Sequence, residues 1–246
     1  MKKNVLTLLT HLLFSFIFAC GDDTKECQDE ISIPEVDSND PAVVPDDRGD
    51  QWWIDRHNDR IKNNVINYQK IIFIGNSITH WWEETESWTA LNQKYSHKIT
   101  NLGYAGDQTQ NVIWRLENGE FPVGINPENV VIMIGTNNSM SEPESIAAGI
   151  GKIIKIINKN SPSSRIILLS LLPRGAGNYD ENTIRNNAVN EIIKNYEGCL
   201  KITYLNLAQY YINDNGGLKN ELFTDGLHLS SAGYDLWKEK IMEIIK

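Results

Sequence analysis

The chain has 246 residues, 41% of them hydrophobic, and a formal net charge of −9 at pH 7. That is enough apolar material for one sizeable core, and too little for two comfortable domains once the first fifty residues are set aside. No basic cluster is present, which argues against nucleic acid as a partner.

Residues 1–20 read MKKNVLTLLTHLLFSFIFAC. Two lysines, an apolar run from Val5 to Ala19 and a small residue before Cys20 form the pattern of a secretory signal, too short to span a bilayer. The end of the run, Ile17-Phe18-Ala19-Cys20, resembles a bacterial lipobox. Cys20 is then the lipidated first residue of an exported chain held in the cell envelope, at the outer membrane or cell surface. An ordinary cleaved signal is the alternative. Residues 21–51 carry three prolines and no aromatics before the tryptophans at 52 and 53, and eleven acids against Lys25 and Arg48. This composition predicts a disordered acidic tether. The tether accounts for the net charge, so the acidity is no evidence for a cationic substrate. Cys27 lies in it. Cys199 reads as a packed thiol, with a Cys27–Cys199 disulfide as the other option.

From residue 52 to 246 one domain is expected. Apolar runs at 71–74, 99–102, 130–134, 166–171 and 202–205 read as buried strands. Helical stretches fall near 84–94, 108–118, 144–159, 183–197 and 231–245. Strand and helix alternating five times predict an α/β fold, a three-layer α/β/α sandwich on a five-stranded parallel sheet. Sites in such sheets form at the carboxyl ends of the strands.

At the end of the first run stands Ile71-Ile72-Phe73-Ile74-Gly75-Asn76-Ser77. By itself Ser77 reads first as a turn residue that ends the strand and only second as a nucleophile. The second run ends in Gly103-Tyr104-Ala105-Gly106-Asp107, the third in Gly135-Thr136-Asn137-Asn138, and Asp225 and His228 come late in the chain. Turn chemistry explains glycines and asparagines on this rim but gives no reason for a Ser and an Asp-x-x-His pair beside them. Ester hydrolysis through serine needs a hydroxyl, a base and oxyanion donors. Ser77, His228 and Asp225 fit nucleophile, base and orienting acid. The N–H groups of Ser77 and Gly106 and the amide of Asn137 fit the oxyanion donors. No metal-ligand spacing appears and no cofactor is called for.

These blocks resemble the SGNH, or GDSL-type, hydrolase family. Residues 101–120, NLGYAGDQTQNVIWRLENGE, with VVIMIGTNN at 130–138, LLPRG at 171–175 and HLSSAGY at 228–234, resemble the catalytic α subunits of platelet-activating-factor acetylhydrolase. The resemblance covers about residues 52–245. It implies a flavodoxin-like fold, no cofactor, the Ser–Gly–Asn–His roles above, and an acyl pocket closed by Ile78, Thr136 and Leu227. One departure is Asn76, where the family usually carries Asp. The expectation is an exported, lipid-anchored acetylesterase acting on acetylated glycans. A lysophospholipase or thioesterase, or an inactive glycan-binding lipoprotein on the same fold, are the alternatives.

Other residues carry smaller expectations. Trp82 reads as core or as a stacking platform, Trp114 as core, and Trp52 and Trp53 as packing. Asp107 reads as a helix N-cap. His57, His80 and His97 read as solvent-facing or locally bonded, with His80 a weak rival base because it lacks an orienting acid. Arg174 either lines the cleft or pairs with a carboxylate.

Overall fold

The computed structural model describes residues 30–245. The signal segment, Cys20 and Cys27 lie outside them. Five strands, β1 (Ile71–Gly75), β2 (Ile99–Gly103), β3 (Asn129–Met133), β4 (Arg165–Leu169) and β5 (Ile202–Leu205), form one parallel sheet in the order β2-β1-β3-β4-β5. Every residue of β1, β2 and β3 is buried. That is why β1 and most of β3 run continuously apolar rather than alternating, while β2 buries Thr100 and Asn101 as well.

Seven α-helices accompany the strands among the described residues: α1 (Gln51–Lys62), a single turn α2 (Ser77–His80), α3 (Glu86–Lys94), α4 (Thr109–Arg115), α5 (Pro143–Asn160), α6 (Glu181–Ile193) and α7 (Ser231–Ile244). α3 packs on α7, while α4 packs on α5 and α5 on α6, giving one helical layer on each face. The chain turns back between β1 and β3, so the carboxyl ends of β2, β1 and β3 meet where a doubly wound sheet opens its crevice. None of the described helices is long and apolar enough to cross a membrane.

The acidic tether is corrected in its described part. Residues 31–50 lie on the domain as an irregular strap. Ile31 and Ala42 are buried. Thr109 Oγ1 donates to Ala42 O at 2.7 Å, Lys152 Nζ to Val43 O at 3.0 Å and Asn111 Nδ2 to Asp46 O at 3.0 Å. Two glycines of α5 make room for it. A Cβ on Gly149 would lie 2.5 Å from Ala42 O, and one on Gly151 would lie 2.6 Å from the Ile33 side chain. Composition misled here because the strap exposes most of its acids and is held through its backbone by side chains of the domain. Helix α1 follows at once and buries Trp53 and His57. Cys199 is partly buried and packed against the core, with no disulfide partner among the described residues.

Candidate active site

β1 delivers its carboxyl end into a tight turn. Asn76 Oδ1 accepts from Ile78 N at 3.0 Å and caps α2, whose first residue is Ser77. A first-turn helical N–H has no partner within its own helix. No acceptor among the described residues takes the N–H of Ser77 or of Gly106. Gly106 sits after β2 at φ +83°, in a loop drawn against β1 by a bond from Tyr104 N to Gly75 O. Asn137 follows β3, and its Nδ2 donates one hydrogen to Asp107 O at 3.0 Å. The second amide hydrogen is left over.

On the other side, the turn before α7 carries Asp225 and His228. Ser77 Oγ lies 3.0 Å from His228 Nε2, and His228 Nδ1 lies 2.6 Å from Asp225 Oδ2. A carboxylate only accepts, so Nδ1 carries the proton and Nε2 is free to take the hydrogen of Ser77. Asp225 Oδ1 accepts from the backbone N–H of both Leu227 and His228, which fixes the carboxylate on the loop that bears the imidazole. Partial burial pushes the Asp225 carboxyl up, but the hydrogen bonds from His228 and Leu227 outweigh it and hold it down at about 2. Trp81, exposed, lies over the His228 ring with centroids 4.2 Å apart.

The structure thus brings Ser77, His228, Asp225, Gly106 and Asn137 to one rim. Ile78 is buried in the core. Thr136 is also buried, and its Oγ1 accepts from Asn186 Nδ2 at 3.0 Å. Leu227 is half-buried beside the histidine. His80 faces away from the serine: its Nδ1 accepts from Ala105 N at 3.2 Å. Burial, then Arg56, Arg60 and Arg115, hold that imidazole down at about 4. Arg174 Nη1 donates to Thr136 O at 3.2 Å, so it supports the Asn137 turn rather than a carboxylate. Trp82 is core, stacked on Trp237. Among the described residues no group of three or more His, Cys, Asp or Glu is placed to hold a metal ion.

One expectation is corrected. Asp107 is no N-cap; that position belongs to Gln108. Asp107 is fully buried and accepts from Trp53 Nε1 at 2.6 Å and from Arg115 Nε at 3.0 Å. Arg115 also pairs with buried Glu120, which in turn accepts from the Tyr104 hydroxyl. Burial pushes the Asp107 carboxyl up, and Arg115 opposes that. Buried charges survive only when paired and hydrogen-bonded, as these are. Of the two readings of His57 the structure takes the local one: it is buried, stacked on Trp53 and tilted against Trp114, 3.8 Å from Glu120. One sequence signal pointed to this cluster. Arg115 and Glu120 both interrupt a stretch in which Val112, Ile113, Leu116 and Phe121 are core.

The model of the GDSL-like lipase/acylhydrolase family matches residues 73–236, from within β1 to α7. The chain belongs to this family. As a GDSL-like acylhydrolase it is a carboxylic ester hydrolase. The α1 subunit of rat platelet-activating factor acetylhydrolase IB is 34% identical over 197 residues, 79% of this chain and 82% of that one. The human α1 subunit is 33% identical over 207 residues, 83% and 87% of the two chains. Among solved structures, a GDSL-like lipase from Bacteroides thetaiotaomicron superposes with a TM-score of 0.64 at 21% identity, over 77% of this chain and 96% of that one. An acetyl xylan esterase superposes with a TM-score of 0.58 at 18% identity, over 72% and 99%. At these identities the solved GDSL-like structures share the fold.

Proposed function

We propose that this GDSL-like hydrolase is an exported, lipid-anchored acetylesterase of acetylated glycans that works through Ser77, His228 and Asp225. The continuous hydrogen-bonded chain from Ser77 Oγ through the imidazole to Asp225 carries the reading. His228 takes the serine proton as Oγ attacks the ester carbonyl, and Asp225 stabilises the imidazolium. The oxyanion forms against the N–H groups of Ser77 and Gly106 and the free amide hydrogen of Asn137. One such donor is typically worth about 3–4 kcal/mol of barrier. His228 then protonates the leaving alcohol, and water cleaves the acyl-enzyme by the same steps.

Acetyl selectivity rests on Ile78, Thr136 and Leu227 closing the acyl side. The glycan assignment draws support from Trp81, whose exposed ring beside His228 offers a face to a sugar leaving group. It draws further on the acetyl xylan esterase among the structures of this fold. Export and anchoring rest on residues 1–20 alone. The acetylhydrolase relatives favour a second leaving group, a lipid alcohol, at the same acyl site.

A fluorophosphonate probe and p-nitrophenyl esters test the reading together. The probe should label wild type and spare Ser77→Ala. Rates should fall roughly ten- to a hundred-fold from acetate to butyrate, the effect of about 1–3 kcal/mol of overpacking, and Leu227→Ala should flatten that series. Octanoate matching acetate would exclude the acetylesterase. Acetylated xylan against an acetylated ether phospholipid separates the two leaving groups. Cys20→Ser should release the protein from the membrane fraction, and retention would exclude the anchor.

A further inference from the structure

We infer that Arg48, on the strap, is a positioning residue for the oxyanion hole. The inference rests on the serine-esterase reading of the site. Arg48 Nη1 donates to Ala105 O at 2.7 Å. That carbonyl belongs to the same peptide group as the N–H of Gly106. In a planar trans peptide the C=O and N–H point in opposite directions. A donor fixed on the carbonyl therefore fixes where the Gly106 N–H points. It also polarises the amide, since a hydrogen bond accepted at one end strengthens the bond donated at the other. The donor here is a cation, which makes both effects larger than a neutral group would.

The guanidinium is itself held. Nη2 pairs with Asp50 Oδ2 at 2.7 Å, Nη1 lies 3.6 Å from the buried Asp107 Oδ1, and the Trp52 ring lies 5.7 Å beneath its carbon. Gly106 leaves room for it: a Cβ there would sit 2.8 Å from Nη1. On the preceding peptide, His80 Nδ1 accepts from Ala105 N, so the loop is gripped from both sides. Arg48 reaches this position with a backbone φ of +62°, a conformation that a residue with a side chain adopts at a cost. Glycine adopts it freely. That separates the side chain's role at the hole from the fold's need for this turn.

The test uses the full chain with Arg48→Gly and Arg48→Lys. Deleting an oxyanion donor outright typically costs about 10²–10³ in kcat. A donor left in place but free to turn should cost Arg48→Gly about ten- to a hundred-fold in kcat on p-nitrophenyl acetate by the same standard, with KM within about threefold. Its melting temperature should be unchanged or higher. Arg48→Lys, which keeps a cationic donor, should recover part of the rate. Hydrogen–deuterium exchange over residues 103–108 should quicken in Arg48→Gly and less so in Arg48→Lys. Unchanged kcat together with unchanged exchange in Arg48→Gly overturns the inference. So does a rate loss that follows only a fall in melting temperature. If wild type neither labels with a fluorophosphonate nor cleaves esters, the esterase reading fails. The exchange comparison then still decides whether Arg48 holds the Gly106 peptide.

Discussion

Asn76 holds the position where the resembled family's first block usually has a carboxylate, and its contacts say what the site asks of that residue. It is buried and its Oδ1 caps the helix turn that presents Ser77. An amide supplies that oxygen as well as a carboxylate does and avoids burying a charge. Asn76→Ala should therefore cost about 1 kcal/mol of stability, as the loss of an N-cap does. It should also lower kcat by loosening the serine turn; thermal melts and ester kinetics measure the two. Ser77→Ala and His228→Ala should each lower kcat by about 10³ or more, as removal of a member of such a unit does, with melting temperatures near wild type. Asp225→Asn should cost less than either if the loop N–H groups keep the turn in place. Hydrolysis of p-nitrophenyl acetate by purified Ser77→Ala at the wild-type rate would remove the serine from the mechanism.

Elements were legible where they repeat a pattern. All five strands and the five long helices after β1 fall within a few residues of the apolar runs and amphipathic stretches that announce them. Two features carried no such signal. Helix α1 has only Trp53 and His57 buried along twelve residues, too sparse a stripe to stand out beside an acidic segment. The π-type turn at Leu116–Glu120 ends α4 so that Glu120 swings back to Arg115, and no local propensity encodes that closure. The Ser, Gly, Asn, Asp and His of the candidate site stood out in the sequence because each follows a strand end or sits in a distinctive block. Asp107 was misread because a cap and a buried ion-pair partner look alike until the arginine eight residues on folds over it. His80 gives this scale a pH dependence. The folded imidazole titrates at about 4, the unfolded one near 6.5, so the unfolded chain takes up the proton first. Stability is then complete above about pH 6.5 and falls as the pH drops toward 4, by at most ~1.4 kcal/mol per pH unit. His57, also held down by burial and by Arg115, adds in the same direction. Replacing His80 with Gln should flatten the decline of melting temperature between pH 6.5 and 4.5. An equally steep decline in the variant would assign the acid sensitivity elsewhere.

Across the whole molecule, the boundary of the domain lies earlier than the composition suggests. A chain beginning at residue 52 loses Ile31, Ala42 and the backbone bonds of the strap. Burying one isoleucine is worth about 1.5–3 kcal/mol. The shortened chain should be less stable than one beginning at residue 30 by at least ~2 kcal/mol, measured by urea unfolding. Equal stabilities would show that the strap contributes no net free energy.

The two glycines that seat the strap have a consequence for how this sequence can drift. Gly149 and Gly151 lie in the middle of an eighteen-residue helix, where alanine is favoured by about 1 kcal/mol per site. Judged by helix propensity alone, both are easy improvements. Yet a methyl on Gly149 would stand against the backbone carbonyl of Ala42, which cannot rotate away. The stabilising change is therefore closed to this lineage as long as the strap stays docked, and it opens once the strap is lost. Among related chains, an alanine at the position of Gly149 should travel with a missing or rerouted amino-terminal segment. It should travel too with the absence of an arginine at the position of Arg48, although the two residues are a hundred apart in sequence and belong to no shared motif.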